Sequence, residues 1–358
     1  MLYRNQIMLI LAVAAHLLLG AGARAQEASA VAVGTLHACA LLQDGAVYCW
    51  GAEDMTGQLG SKNKALKIPN LPAATSIDSG HFASCAIDKE NALWCWGKDV
   101  QEIIERENEG RSVDVAVVSR PRKVRDLPPV RAVSIGYVHM CAITLTDEVF
   151  CWGYNPAGEL GDGSRKPTAK PQKVKGLTSV RSISTGVNNT CAVVANGNVW
   201  CWGVSNQVKL PVPSLFRSKR PVHIKRFKGA TKISVGRDQV CALFQNGGVQ
   251  CWGLLYDFVG RDVQNKPTDY ITDVEIGMFF FCLQRSNGEV VCSGFEADSK
   301  LLKGVPYLTD AKQISSGMKF GCAVRRNGTV VCWGEGWAGK VDGKFRLVPS
   351  AIPVKGLP

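Results

Sequence analysis

Fourteen cysteines are the residues whose type and spacing could do chemistry, and their pattern decides which chemistry. They fall into seven pairs, each pair ten positions apart: Cys39 and Cys49, Cys85 and Cys95, Cys141 and Cys151, Cys191 and Cys201, Cys241 and Cys251, Cys282 and Cys292, Cys322 and Cys332. A thiolate can bind metal, attack an electrophile or join a disulfide. Nine intervening residues is not the CxxC spacing of a zinc site. Four histidines follow residue 25: His37, His81, His139 and His223. His37 and His139 share one repeat position, and His81 lies two residues earlier in its repeat. The same position holds Asn189, Gln239, Phe280 and Phe320 in other copies, which breaks up any ligand set. A polar role bonding a loop backbone is the expectation for these histidines, with no metal and no cofactor. No GxSxG, HExxH or phosphate loop occurs, and carboxylates recur at no catalytic spacing, so no enzymatic activity is expected.

The element that must position each cysteine pair is a hairpin. Six residues after each first cysteine stand Gly45, Asn91, Asp147, Gly197, Gly247, Gly288 and Gly328, the residue types that tolerate positive φ. This is the mark of a three-residue loop, a type I turn closed by a left-handed residue. The loop pairs Leu42 with Ala46, Leu41 with Val47, Ala40 with Tyr48 and Cys39 with Cys49. The cysteines then occupy a non-hydrogen-bonded site, where Cα atoms approach to about 4.5 Å and a disulfide can form. Both hairpin faces are apolar, with small opposite large on one of them (Ala40 and Tyr48, Ala86 and Trp94, Ala142 and Phe150), so sheets must cover each other face to face. A glycine stands five residues before every first cysteine, from Gly34 to Gly317.

First cysteines are 46, 56, 50, 50, 41 and 40 residues apart, the period of a propeller or a solenoid. A strand such as Val130-Arg-Ala-Val-Ser-Ile135 precedes each hairpin, and a Pro-led strand such as Pro121-Arg-Lys-Val124 lies further upstream. Four strands per repeat is the content of a propeller blade. Residues 26–358 begin without the Pro-led strand and end with a surplus one at Pro349–Pro358. The expectation is an all-β, seven-bladed β-propeller closed by pairing of N- and C-terminal strands. Residues 101–119 form a polar insert in the second repeat, with a short helix expected at Glu102–Asn108.

Residues 1–25 have the form of a secretory signal peptide: Arg4, an apolar run from Ile7 to Leu19, and the small-x-small site at Ala23-Arg24-Ala25. Its removal lowers the net charge from +12 to +10. Export to a periplasmic or extracellular location, with seven nearest-neighbour disulfides, follows from an even cysteine count in such a chain. No later segment is apolar enough to span a bilayer, and a monomer is expected.

The pattern Gly-(x)4-Cys-Ala-Leu … Asp-Gly-x-Val-Tyr-Cys-Trp-Gly, followed by Gly57-Gln-Leu-Gly60 in one copy and Gly158-Glu-Leu-Gly161 in another, resembles the regulator of chromosome condensation repeat. His37 and His139 stand where that family often has His. The resemblance implies a seven-bladed propeller. The family includes a nucleotide-exchange factor for a small nuclear GTPase and a secreted bacterial inhibitor of β-lactamases. Fold alone transfers neither activity.

Two features suggest partners. Basic residues cluster at Arg120, Arg122, Lys123 and Arg125, and at Arg217, Lys219, Arg220, Lys225, Arg226 and Lys228. Export argues against nucleic acid and for an anionic surface polymer or an acidic protein. The loops leading into the hairpins carry Phe82, Tyr137, Phe279, Phe280, Phe281 and Phe320, expected to meet at one end of the central channel as a protein-binding patch. The expected function is an exported, non-catalytic protein-binding propeller. The alternatives are a cell-envelope or carbohydrate binder and an enzyme with its site in the central channel.

Overall fold

The hairpin forms seven times, in the register that turn chemistry and cysteine spacing predict. In a computed structural model, Cys39 pairs with Cys49, Ala40 with Tyr48 and Leu41 with Val47. The Gly45 N–H donates to the Leu42 carbonyl at 3.0 Å, and the closing residue has positive φ in every copy, 89° at Gly45, 61° at Asn91 and 62° at Asp147 among them. All seven predicted disulfides are present, with Cα–Cα distances of 4.0 to 4.1 Å. The structure describes residues 26–51, 64–81, 83–98, 104, 117–204, 217–237, 239–253, 270–278, 280–293, 302–341 and 344–358. The expected signal peptide, the Gly57-Gln-Leu-Gly60 loop and the helix at 102–108, Ile104 aside, lie outside them.

Each hairpin supplies the second and third strands of a separate antiparallel sheet. The first blade comprises Ala28–Val33, His37–Leu42, Val47–Gly51 and Leu66–Lys67, from axis to rim. Six sheets have four strands; the fifth has three among the described residues. The inner strands contact one another around the full circle, including Ala28–Val33 with Ala311–Ser316. The protein is an all-β, seven-bladed propeller. The described helix content is little more than one 3-10 turn at Lys225–Phe227.

Closure differs from the expected pairing of N- and C-terminal strands. The terminal strand Lys344–Pro353 pairs with Val330–Val341 of its own seventh blade, Cys332 opposite Ile352. The first blade has its own outer strand, Leu66–Lys67, in a segment with no leading proline. Every described Pro-led strand pairs back on the hairpin before it, as Trp94 with Lys123 and Phe150 with Lys173 show. That second-blade strand starts at Val117, inside the segment taken from sequence as an insert.

The ring closes through side-by-side contact of blades one and seven. The Val33 N–H donates to Ser315 Oγ at 3.0 Å and the Val31 N–H to Gln313 Oε1 at 2.8 Å. The Ala65 N–H reaches the Lys355 carbonyl at 2.9 Å. Phe320, Cys322 and Cys332 of blade seven share a buried cluster with Ala38 and Trp50 of blade one.

That cluster shows the packing unit. The tryptophan that follows six of the seven second cysteines is buried, and it lies against the disulfide of the preceding blade: Trp96 with Cys39 and Cys49, Trp202 with Cys141 and Cys151, Trp333 with Cys282 and Cys292. Opposite the tryptophan stands a smaller residue, such as Ala38, Thr190 or Gly321. The sixth blade inverts this arrangement. Ser293 replaces Trp, and Phe281 stands opposite it. Phe281 then covers Cys241 and Cys251 in the same buried cluster. The large side chain has changed strands while the contact is kept.

Candidate binding site at the propeller mouth

The glycine before each hairpin is fixed by backbone meeting backbone. A Cβ at Gly34 would lie 2.4 Å from the Gly80 carbonyl oxygen, one at Gly80 2.5 Å from that of Gly136, and so on around the axis to Gly317, whose Cβ would lie 1.9 Å from the Gly34 oxygen. No side chain fits there. The residue after the glycine donates its N–H to the next blade's glycine carbonyl: Thr35 to Gly80, His81 to Gly136, Tyr137 to Gly186 and Met278 to Gly317, at 3.0 to 3.3 Å. Two residues before the glycine, a side chain accepts an N–H from the next inner strand. Ser134 Oγ accepts from Thr185, Ser184 from Val235, Ser234 from Ile276, and Asp78 Oδ2 from Ile135, at 2.7 to 3.0 Å.

This frame holds seven side chains around the mouth on equivalent backbone: Thr35, His81, Tyr137, Val187, Arg237, Met278 and Met318. His81 hydrogen-bonds Thr35 Oγ1 at 2.6 Å and stacks on Tyr137 with centroids 3.7 Å apart. Burial, with Lys98 adding to it, lowers His81 to about 4, so the ring is neutral at physiological pH. The axial opening within these residues is about 90 Å³. Small-molecule pockets run to roughly 300–1,000 Å³, so the mouth is a surface to be covered and not a pocket to be filled.

Of the expected partner-binding residues, Tyr137 stands at the mouth. Phe280, Phe281 and Phe320 do not; they are 1 %, 3 % and 0 % exposed. Phe280 packs in the cluster between blades six and seven, and Phe320 in that between blades seven and one, where Ala38 leaves room. Phe82 and Phe279 lie outside the described residues. His37 and His139, at the repeat position of Phe280 and Phe320, also turn to the next blade. His37 Nε2 meets Ser84 Oγ and His139 Nε2 meets Thr190 Oγ1, both at 2.7 Å. Burial drives them down to about 4 and about 3, which keeps both neutral. They join blades through a side-chain hydroxyl where a loop backbone was expected.

Sequence patterning missed the charge inside the channel. Lys232 Nζ pairs with Asp273 Oδ1 and Glu275 Oε1, each at 2.5 Å. Burial pulls Lys232 down, but Glu275 and Asp273 more than offset it and hold it above its ordinary value. Burial raises Glu275 against the pull of Lys232. Burial also pushes Asp78 up to about 7, opposed by the N–H groups of Ile135 and Ser79. Asp78 and Glu275 occupy the position that is serine in four copies, so the departure from the repeat was the available signal.

The Gly158-Glu-Leu-Gly161 loop caps the next blade. The Glu159 carbonyl accepts from Trp202 Nε1 at 2.6 Å and from Thr190 Oγ1 at 3.2 Å. Its carboxyl is fully buried; Oε2 accepts the Ala157 N–H at 2.9 Å and Oε1 has no partner among the described residues. Burial raises it to about 7. A raised folded-state pKa contributes stability that is complete below the unfolded value near 4.5 and lost as pH rises through 7. Glu159→Gln, which the first copy already carries as Gln58, removes that loss. Chemical denaturation at pH 8 is expected to show the variant more stable by about 1–3 kcal/mol, with the gain shrinking at pH 5. An equal difference at both pH values would refute buried ionisation as its cause.

Comparison with known proteins agrees with this architecture. The regulator of chromosome condensation (RCC1) repeat matches residues 28–55, 130–159, 180–208 and 311–336 in one family model and 146–193 in another. The matched segments carry the RCC1 repeat pattern. Probable E3 ubiquitin-protein ligase HERC4 of rat and of human are each 40% identical, over 138 and 139 residues, which is 37% of this chain and 13% of theirs. The chain therefore spans about an eighth of those relatives. Human WBSCR16 superposes with a TM-score of 0.67 at 18% identity, over 82% of this chain and 86% of that one. The ectodomain of the Arabidopsis thaliana receptor kinase ACR4 gives 0.56 at 20%, over 92% and 100%. Prp20p of Saccharomyces cerevisiae gives 0.52 at 19%, over 91% and 76%. These structural likenesses establish a shared fold. No described helix of this chain is long and apolar enough to cross a membrane.

Proposed function

We propose that this chain is an exported, non-catalytic binding protein that captures a protein partner at the axial mouth. One observation carries the reading. Seven equivalent backbone positions at the mouth hold six residue types, while the cysteines and the glycines beside them are the same in all seven copies. What the fold needs is uniform; what varies lines the axial opening, with Arg237 exposed, Thr35 buried and the other five half-buried, a pattern that suits a recognition surface. Met278 and Met318 supply adaptable apolar contact beside Arg237 and Tyr137. Seven disulfides fit an oxidising compartment and so support export. Prp20p, of the same fold, has binding properties to Gsp1p and histones, which supports a protein as partner class without naming this one.

The channel carboxylates Asp78, Asp273 and Glu275 favour an enzyme as the second reading. Lys232 neutralises two of them, and the 90 Å³ opening admits no ordinary substrate. Surface binding is therefore the stronger reading. Affinity capture from the native host, quantified for wild type and for the Arg237→Glu, Met278→Asp double variant, tests it. The variant is expected to lose at least nine-tenths of a specific protein at an unchanged melting temperature. Equal recovery by both forms would remove the mouth from the proposal, and a glycan array with strong hits would replace the protein with a carbohydrate.

A further inference from the structure

A cleft of about 1,200 Å³ lies between the second and third blades, toward the rim. Its walls carry Lys98, Arg122, Lys123, Arg125 and Lys170 against a single carboxylate, Asp126. Some described cations elsewhere are paired: Arg131 and Arg181 with Asp147, Lys173 with Glu148, Arg325 with Asp310. Lys123, Arg125 and Lys170 are exposed and make no ion pair among the described residues. Cations along a rim strand serve in part to block edge-to-edge association. That role does not account for cations converging from two blades onto one cleft, Lys98 coming from a third strand and Arg125 from beyond an outer one. Between them the floor is apolar, with Val124, Leu127, Ala169 and Pro171 half-buried.

We infer that this cleft binds an acidic segment of a partner protein that carries an apolar anchor side chain. Cationic walls steer and orient an acidic chain, and the hydrocarbon floor gives an anchor a place to be desolvated. A sulfated or phosphorylated polymer matches the walls but has nothing for the floor, which is why a peptide is favoured. The site is separate from the mouth and does not rest on it.

The test uses the full mature chain and a fluorescent twelve-residue peptide of Glu and Asp around one central Leu, followed by anisotropy at 50 and 300 mM salt. Arg125→Glu with Lys170→Glu is expected to weaken binding at least tenfold. Lys228→Glu with Lys355→Glu, an equal change in net charge elsewhere, is expected to change it less than twofold. Replacing the probe's Leu with Ser is expected to cost at least threefold. Each double variant must melt with the wild type; if the cleft variant does not, Arg125→Gln alone is read instead, with threefold weakening expected. Equal loss in both double variants, no binding by wild type, or indifference to the Leu together with tighter binding of a sulfated polysaccharide would each overturn the inference.

Discussion

Reduction of the seven disulfides is expected to unfold the chain at 37 °C. Each bridge closes a loop of ten residues' separation, for which chain entropy gives about 3 kcal/mol, less where the hairpin is already biased to form, so about 1–3 kcal/mol each. Seven such contributions match or exceed the roughly 5–15 kcal/mol net stability of a domain. The bridges are also covered: the cysteines are buried, Cys95 half-buried, six bridges under a tryptophan of the neighbouring blade and Cys241–Cys251 under Phe281. Reductant should therefore act slowly, at the rate at which blades open. Circular dichroism melts after denaturing reduction and thiol blocking are expected to show no cooperative transition above 37 °C. A blocked chain melting within a few degrees of the oxidised one would show that packing alone holds the ring.

Gly317→Ala is expected to be the most damaging single methyl in the described ring. Its Cβ would stand 1.9 Å from the Gly34 carbonyl oxygen and 2.8 Å from Val33 Cγ1, where blade seven meets blade one. The obstructing oxygen is backbone and is held by its own strand, so relief requires the blades to part. Overpacking of this kind costs about 1–3 kcal/mol and sometimes more; the closing position puts this variant at about 3 kcal/mol or above, read as a fall in melting temperature of several degrees. Gly304→Ala is the matched control. Nothing lies within 4 Å of its Cβ, and the expected change is neutral or slightly stabilising. Similar melts for both variants would mean that the glycine ring does not close the propeller.

Local chemistry explains what could be read from the chain alone. Gly45, Asn91 and Asp147 set the turn, side chains alternate with period two, and the disulfide register follows without reference to any other blade. The limits appear where one blade meets another. Phe320 looks like a loop aromatic until Ala38, far away in sequence, is found beneath it. Phe281 looks the same until Ser293 is seen opposite it, and that exchange of large for small was legible in the hairpin pairing. The sequence pattern does not tell which blade the closing strand joins, because a Pro-led strand can follow one hairpin or precede the next with the same residues. The channel charges sit on strands of three blades, Asp78 on one, Lys232 on another and Asp273 with Glu275 on a third, so only the ring brings them together.

Photo-crosslinking tests the proposal that a protein partner covers the axial mouth. A photoactivatable residue placed at Met278 or Val187 reports on the mouth. The same residue at Asn196 or Asn287, in hairpin loops at the opposite end of the blades, reports on the far face. Crosslinks to one protein from 278 and 187, and none from 196 and 287, are the result predicted. Crosslinks from the hairpin loops with none from the mouth would place the partner on the far face instead.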